Sequence, residues 1–162
     1  MFETCLNNCF VLYWYMNEYM NIAISIAKDA FSRGEIPVGA VVVHKTQGIV
    51  AQTSNAVEQL KDATAHAEIL AIKQACSVLG QKRLTDCDLY VTLEPCTMCS
   101  GAIAHARLDK IIFGSYDSKG GGIEHGACVF SQPTIHHKPE IIGGVEEIIC
   151  SQLMKDFFKG KR

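Results

Sequence analysis

Apolar side chains recur in the first third of the chain with two different periods. Residues 19–33 place them at helical spacing, and Gly34 stands where such a helix would end. Residues 38–43 and 49–51 are short apolar runs separated by a polar turn, which is typical of a β-hairpin. The pattern therefore predicts one helix followed by two antiparallel strands.

Helical and strand patterns alternate through the rest of the chain. The predicted elements are a helix over residues 66–79, a strand over 88–93, a helix over 97–106, strands over 110–113 and 140–142, and a helix over 145–158. Helices that alternate with apolar strands pack on both faces of a sheet. The predicted fold is α/β, a three-layer α/β/α sandwich around a mixed five-stranded sheet. The antiparallel hairpin supplies the first two strands of this sheet.

Composition limits the class of protein. With 162 residues, of which 48% are hydrophobic and 20% charged, the chain is long enough for one compact domain. A formal net charge of −2 gives no global electrostatic case for nucleic-acid binding, and only the C-terminal residues are locally basic. The eight cysteines are irregularly spaced and no signal-peptide pattern is present, which favours a reducing cytoplasm over a secreted disulfide scaffold.

Residues 1–15 are rich in aromatic side chains and contain no basic residue, since the first one is Lys28. A secretory signal needs positive charge, and the unbroken apolar stretch is short, so neither a signal peptide nor a membrane span is predicted. We interpret these residues as a dispensable N-terminal extension, translated from a start codon upstream of Met16 or Met20. The alternative is a docking segment.

The chain carries an H-x-E pattern and, further along, a P-C-x-x-C pattern. His66, Cys96 and Cys99 offer an imidazole and two thiolates, the ligand set that Zn²⁺ prefers, and three protein ligands leave a fourth position for water. Glu68 follows the histidine closely enough to move protons beside that water without binding the metal. This combination predicts a hydrolytic zinc site.

A structural zinc site is the main alternative to a catalytic one. Such a site normally has four protein ligands. The candidates for the fourth ligand are His44, His105, His125 and Cys128, none of which shows a paired spacing. The sequence therefore favours a catalytic zinc.

The two patterns also predict their local setting. Pro95 suits the first position of a helix, which would place Cys96 and Cys99 on one face of its first turns. Thr64 or Asp62 would cap the helix that carries the histidine and the glutamate. The cysteine pair directly follows a predicted strand, and ligands bind at the carboxyl ends of strands in open α/β sheets.

Longer blocks of sequence extend these patterns. They are Ile36-Pro37-Val38-Gly39-Ala40-Val41, Thr64-Ala65-His66-Ala67-Glu68, Leu93-Glu94-Pro95-Cys96-Thr97-Met98-Cys99-Ser100-Gly101-Ala102-Ile103, Ala106-Arg107-Leu108, Phe113-Gly114, Asp117-Ser118-Lys119 and Asp156-Phe157-Phe158. On these blocks, residues 19–162 closely resemble the bacterial tRNA-specific adenosine deaminases of the cytidine deaminase superfamily.

The resemblance implies a cytidine deaminase-like fold, with a zinc deaminase domain over residues 16–162. It implies hydrolytic conversion of adenosine to inosine at the wobble position of a tRNA anticodon. The enzyme would be a cytoplasmic homodimer with one Zn²⁺ per subunit, acting on the anticodon stem-loop, with no membrane association. Glu68 would take a proton from water, pass it to N1 of the adenine and help ammonia leave.

The resemblance also assigns substrate-binding residues. Asn55 would contact the flipped nucleoside, and the backbone N–H of Ala67 would face the base. Asp117 and Lys119 would hold the anticodon strand. The C-terminal aromatic pair, and Phe157 in particular, would contribute to RNA binding by stacking on bases or would anchor the last helix.

One loop departs from the family pattern. In the family, the lysine of this loop is usually followed by Gly-Ala, whereas here Lys119 is followed by three glycines and Ile123-Glu124-His125. This difference leaves the RNA contacts of the loop open.

Two other functions stay open. A deaminase of a free base or nucleoside, of the guanine or cytidine type, would share every zinc residue. A catalytically silent, zinc-stabilised binding module is the other alternative.

Overall fold

The computed structural model describes residues 3–160, with side chains from residue 16 onward. The helices are α1 (Glu3–Ser32), α2 (Val57–Leu60), α3 (Ala67–Leu79), α4 (Thr97–Ala106) and α5 (Glu147–Lys159). The strands are β1 (Gly39–His44), β2 (Gly48–Ser54), β3 (Cys87–Leu93), β4 (Lys110–Ser115) and β5 (Glu140–Ile142), with one 3₁₀ turn at Val129–Ser131.

The strands form one five-stranded sheet in the order β2-β1-β3-β4-β5. Strand β1 is antiparallel to both β2 and β3, so that Val42 pairs with Ala51 on one side and Leu89 on the other. Strands β3, β4 and β5 are mutually parallel neighbours. The predicted mixed sheet, opened by an antiparallel hairpin, is confirmed.

Alternate side chains of the strands enter two separate cores. Val42, Leu89 and Ile111 point toward α3 and α4, whereas Tyr90 and Ile112 point toward α1 and α5. This alternation follows from the period of two along a strand, and it buries both faces of the sheet. The α/β/α sandwich is therefore confirmed as well.

Helix α1 lies directly on the sheet because Gly39 leaves room for it. A Cβ atom at Gly39 would overlap the backbone carbonyl of Ala23, so the close approach of α1 and β1 requires a residue without a side chain. Met20, Ala23 and Ala27 are fully buried in this contact region. Gly34, with φ +79°, follows the helix as predicted.

The prediction that the first helix starts near residue 19 is wrong, because α1 starts at Glu3. The segment from Glu3 to Ser32 contains neither glycine nor proline, so nothing in the sequence interrupts the helical backbone. The short α2 and the 3₁₀ turn are single turns without an apolar repeat, and pattern analysis missed them. None of the helices within residues 3–160 combines the length and apolar character needed to cross a membrane.

Candidate metal centre and substrate cavity

The three predicted metal ligands lie where two helices begin. His66 is the N-cap of α3 and Cys96 the N-cap of α4, both with extended backbone, and Cys99 is in the first turn of α4. The predictions that Pro95 is the first residue of α4 and that Thr64 or Asp62 caps α3 are wrong. Pro95 precedes α4, and the Asp62 side chain accepts hydrogen bonds from the amide and hydroxyl of Thr64 at 2.8 and 2.7 Å, forming a turn ahead of α3.

The distances among the ligand atoms fit one tetrahedral zinc ion. Nδ1 of His66 lies 3.7 Å from Sγ of Cys96 and 3.6 Å from Sγ of Cys99. Zinc bonds of ordinary length at a tetrahedral angle would separate nitrogen and sulfur by about 3.5 Å. Within the described side chains, these residues are the only group of three or more His, Cys, Asp or Glu residues whose ligand atoms all come within 4.8 Å of one another.

The two thiols differ in acidity. The hydrogen bond from the Cys99 thiol, helped by the backbone amides of Cys99 and Met98 and by His66, lowers the pKa of Cys96 to about 5 despite its burial. The same hydrogen bond, together with burial and the nearby Glu68, raises the pKa of Cys99. One thiolate is thus ready for a metal at neutral pH, and metal binding would ionise the second.

Glu68 lies beside the ligands in the first turn of α3 and is only 4% exposed. Burial raises the pKa of its carboxyl group above the ordinary value, and the charge of Cys96 acts in the same direction. A raised pKa makes a carboxylate a stronger proton acceptor than an ordinary one, which favours proton transfer from a neighbouring water. The geometry therefore suits the role of a proton carrier.

The ligands open into a cavity of about 1350 Å³. Its floor includes His66, Glu68 and Cys96, while Cys99 is fully buried beneath. Asn55 and Asp117 lie on its walls. The cavity is also lined by Lys119, Tyr116, Met154, Lys155, Phe158 and Lys159.

Two predicted substrate residues are not part of the cavity lining. Ala67 is fully buried at the start of α3, and its carbonyl accepts a hydrogen bond of 2.7 Å from the Thr53 hydroxyl. Phe157 is 5% exposed and packs edge-on against Phe31 at 5.6 Å between ring centroids, whereas its neighbour Phe158 is 49% exposed and lines the cavity. Of the two roles predicted for Phe157, stacking on bases or anchoring the last helix, its burial supports the anchor, and the ring that faces the cavity is Phe158, since successive helical side chains point about 100° apart.

Asn55 is held by a residue that the sequence did not single out. Its Nδ2 donates to Oε2 of Glu35 at 3.3 Å, and Oε1 of Glu35 accepts the backbone N–H of Gln59 at 2.8 Å. Glu35 is 2% exposed. The carboxylate thus fixes the orientation of the Asn55 amide at the cavity wall.

A second unexpected carboxylate, Glu94, lies between β3 and the metal helix α4. It accepts hydrogen bonds from the loop that carries Asp117, including one of 3.0 Å from the amide of Asp117 itself. Burial opposes its ionisation, but the hydrogen bonds from His125, Asp117 and Glu124 together lower the pKa of Glu94. Its partners are mainly backbone N–H groups far along the chain, which a sequence pattern does not display.

No other residue in the described part of the chain completes a four-ligand structural site. Nδ1 of His125 is bound to Oε2 of Glu94 at 2.8 Å, and Nδ1 of His44 lies 3.2 Å from the amide of Thr46. The six cysteines whose side chains are described are free thiols. The site has three protein ligands and an open side, which is the arrangement of catalytic zinc.

Known proteins with similar sequences include a family whose zinc-binding region matches this part of the chain. Residues 15–115 match the model of the cytidine and deoxycytidylate deaminase zinc-binding region. A tRNA-specific adenosine deaminase of Agrobacterium fabrum is 46% identical over 144 residues, which are 89% of this chain and 94% of that protein.

Two solved structures extend the comparison. One, from a study of A-to-I editing by tRNA:A34 deaminases at the wobble position of transfer RNA, has a TM-score of 0.82 at 46% identity, covering 84% of this chain and 98% of that chain. A guanine deaminase of Bacillus subtilis has a TM-score of 0.59 at 40% identity, covering 61% of this chain and 63% of that chain. Judged by its metal centre, its sheet and these relatives, this chain belongs to the tRNA-specific adenosine deaminases, within the zinc-binding cytidine and deoxycytidylate deaminase family.

Proposed function

We propose that the protein converts adenosine to inosine at the wobble position of a tRNA anticodon. The observation that carries the proposal is a zinc site at the floor of a cavity with a basic and aromatic rim. Lys119, Lys155, Lys159 and Phe158 line this cavity and are exposed. Basic and aromatic side chains are the groups that bind phosphates and unstacked bases of single-stranded RNA.

The reaction adds water to C6 of the adenine and breaks the bond between C6 and the exocyclic nitrogen, giving inosine and ammonia. Zinc held by His66, Cys96 and Cys99 would supply an activated water. Glu68 carries the first proton of this water to N1 and the second to the departing amine. Asn55, oriented by Glu35, would hold the nucleoside over the floor of the cavity.

The competing function is deamination of a free base, which the partial likeness to a guanine deaminase keeps open. A small substrate would be enclosed by a lid, whereas an anticodon loop requires an accessible rim. The exposed lysines and Phe158 therefore favour RNA over a free base.

The test is ammonia release from a wobble-adenosine anticodon stem-loop and, separately, from free adenosine, cytidine and guanine. We expect turnover on the stem-loop, none when guanosine replaces the wobble adenosine, and a loss of about 10²–10⁴-fold in the Glu68→Gln variant. Turnover on free guanine or cytidine, with none on the stem-loop, would replace the proposal with the free-base function.

We also propose a cytoplasmic homodimer with one Zn²⁺ per subunit. Met98, on the surface of α4 next to the metal ligands, is 37% exposed and offers an apolar contact near the site. Light scattering together with metal analysis tests this. A monomer at micromolar concentration, or a zinc content well away from one per chain, would contradict it.

A further inference from the structure

Glu94 is a buried carboxylate that the proposed chemistry does not use. It follows directly on β3, precedes Pro95 and the metal helix, and its side chain is 0% exposed. A buried carboxylate is costly unless hydrogen bonds compensate for the lost water. The partners of Glu94 therefore show what its position achieves.

Within the described part of the chain, all of the hydrogen bonds to the Glu94 carboxylate come from one loop. Oε1 accepts the backbone N–H groups of Ile123, Glu124 and His125 at 3.2, 2.9 and 3.0 Å. Oε2 accepts the backbone N–H of Asp117 at 3.0 Å and the Nδ1–H of His125 at 2.8 Å. One carboxylate thus binds both ends of residues 116–125, which we call the substrate loop because Tyr116 and Asp117 line the cavity.

The middle of the substrate loop lies against the metal helix. Gly121 forms a β-bridge with Cys96, and the N–H of Gly122 donates to the carbonyl of Pro95 at 2.9 Å. A Cβ atom at Gly122 would lie 2.6 Å from the amide nitrogen of Thr97, and one at Gly121 would lie 2.6 Å from the Glu94 carboxyl group. The glycines that depart from the family pattern let the loop approach a metal ligand this closely.

His125 joins Glu94 to the cavity wall. Its ring packs edge-on against Tyr116, with centroids 5.9 Å apart, and Tyr116 packs in turn on Phe113 at 5.1 Å. The Asp117 side chain, just beyond Tyr116, accepts the N–H groups of Lys119 and Gly120 at 3.0 Å each. A single histidine therefore contacts both the buried carboxylate and a residue that faces the substrate.

We propose that Glu94 and His125 are positioning residues that hold the substrate loop, and with it Tyr116 and Asp117, ready to receive the anticodon. The choice of RNA as the ligand rests on the function proposed above. The role is to preorganise the binding wall, so its loss would weaken substrate binding more than it slows proton transfer at Glu68.

The variants His125→Ala and His125→Asn separate the two contacts of the histidine. Alanine removes both the hydrogen bond and the ring, whereas the asparagine amide can donate to Glu94 from nearly the position of Nδ1. His136→Ala, which changes an exposed histidine on the segment leading to β5, is the matched control. Glu94→Gln keeps the size of the side chain but places a donor amide among donors.

We expect His125→Ala to raise KM for the wobble-adenosine stem-loop roughly tenfold, the effect expected of one hydrogen bond to a charged group. Its kcat should stay within about threefold of wild type, because the ligands and Glu68 are untouched. His125→Asn should recover most of the loss in KM, and His136→Ala should show none. Amide hydrogen exchange should speed up over residues 117–125 in His125→Ala and Glu94→Gln.

The proposal would be overturned if His125→Ala had the KM of the wild type and the same rate of amide hydrogen exchange over residues 117–125. A parallel loss of zinc, melting temperature and kcat would overturn it too, because that result would make His125 a general structural residue. If the wild-type enzyme releases no ammonia from the stem-loop, the proposed function fails instead. Hydrogen exchange over residues 117–125 then decides the proposal on the loop by itself.

Discussion

Three buried or half-buried carboxyl groups show how strongly the pKa and the role of a carboxyl group depend on its surroundings. Burial raises the pKa of Glu68 beside the zinc ligands, and hydrogen bonds from a loop lower the pKa of Glu94. Burial also raises the pKa of Asp88 in β3, where Oδ1 has no hydrogen-bond partner among the described residues. The first suits proton transfer, the second fixes a loop, and the third is a cost to the fold.

The Glu68→Gln variant should keep its zinc and lose most of its turnover. General acid–base catalysis contributes about 10²–10⁴-fold, and one carboxylate here serves both proton transfers. Metal analysis alongside ammonia release on the stem-loop checks the prediction. Zinc lost in proportion to activity would mean that Glu68 supports the metal and does not act as a proton carrier.

Asp88→Asn should raise the melting temperature at pH 7. The folded state binds the Asp88 proton more tightly than the unfolded state does, so the fold loses stability as the pH rises from the ordinary aspartate pKa to the raised one, and the loss is complete above the raised pKa. The gain should vanish below the ordinary aspartate pKa of about 3.9, where both states are protonated. Asp86→Asn, at an exposed carboxylate paired with Lys45, is the control and should give no gain. A melting temperature equal to wild type at both pH values would show that Asp88 costs nothing.

Single residues also mark how far the sequence could predict the site. His66, Cys96, Cys99 and Glu68 could be identified because their side-chain types and spacing state the chemistry. Glu35 and Glu94 could not, because their partners are an amide side chain and backbone N–H groups that come together only in the folded chain.

At the scale of elements, helix α5 presents two adjacent aromatic residues to different surroundings. Phe157 points inward to Phe31, and Phe158 points to the cavity. The sequence predicted the helix from its apolar repeat, but it could not fix the rotation of the helix on the sheet. Packing against α1 decides which of the two rings meets the substrate.

Phe157→Ala should therefore lower stability, whereas Phe158→Ala should weaken RNA binding. Truncating the buried ring should cost about 3–5 kcal/mol of stability. Removing the exposed ring should leave the melting temperature nearly unchanged and weaken stem-loop binding, since one base stacked on an aromatic ring contributes about 1–3 kcal/mol. Thermal unfolding and binding titrations on both variants check this. Equal loss of stability in the two variants would contradict the assignment.

The ends of elements were the least predictable feature at this scale. The strand β3 and helix α4 were anticipated from residues 88–93 and 97–106, yet the caps of α3 and α4 turned out to be the metal ligands His66 and Cys96 themselves. Neither residue makes a side-chain capping hydrogen bond. Propensity favours Asp, Ser or Thr at such positions, and the needs of the metal site override it.

At the scale of the whole molecule, the five strands and the two helical layers follow from alternating apolar patterns, whereas the order of the strands and the length of α1 do not. The part of α1 with described side chains packs on the sheet through residues such as Tyr19, Met20 and Ala23. Tyr19 also contacts the ring of Tyr90 at 5.2 Å. Among the residues whose side chains are described, the part of α1 from Met16 onward thus packs on the sheet.

Deleting residues 1–15, so that the chain starts at Met16, should leave folding, dimerisation and deamination nearly unchanged. The prediction follows from the interpretation of residues 1–15 as an extension translated from an upstream start codon, and the shortened chain keeps the contacts of Tyr19, Met20 and Ala23 with the sheet. Melting temperature, light scattering and stem-loop turnover of the shortened protein check this. Aggregation or a change of oligomeric state would show that the extension is a packed element and not a dispensable one.

The contact between the three-glycine loop and the metal helix sets limits on redesign of this enzyme for new substrates. A Cβ atom at Gly122 would overlap the backbone of Cys96 and Thr97, and one at Gly121 would overlap the Asp117 carbonyl and the Glu94 carboxyl group. A side chain at either position would therefore disturb the start of the metal helix or the carboxylate that holds the loop. Ser118 and Lys119 are exposed at the rim, so a library that varies these two positions would explore new specificity without disturbing the metal.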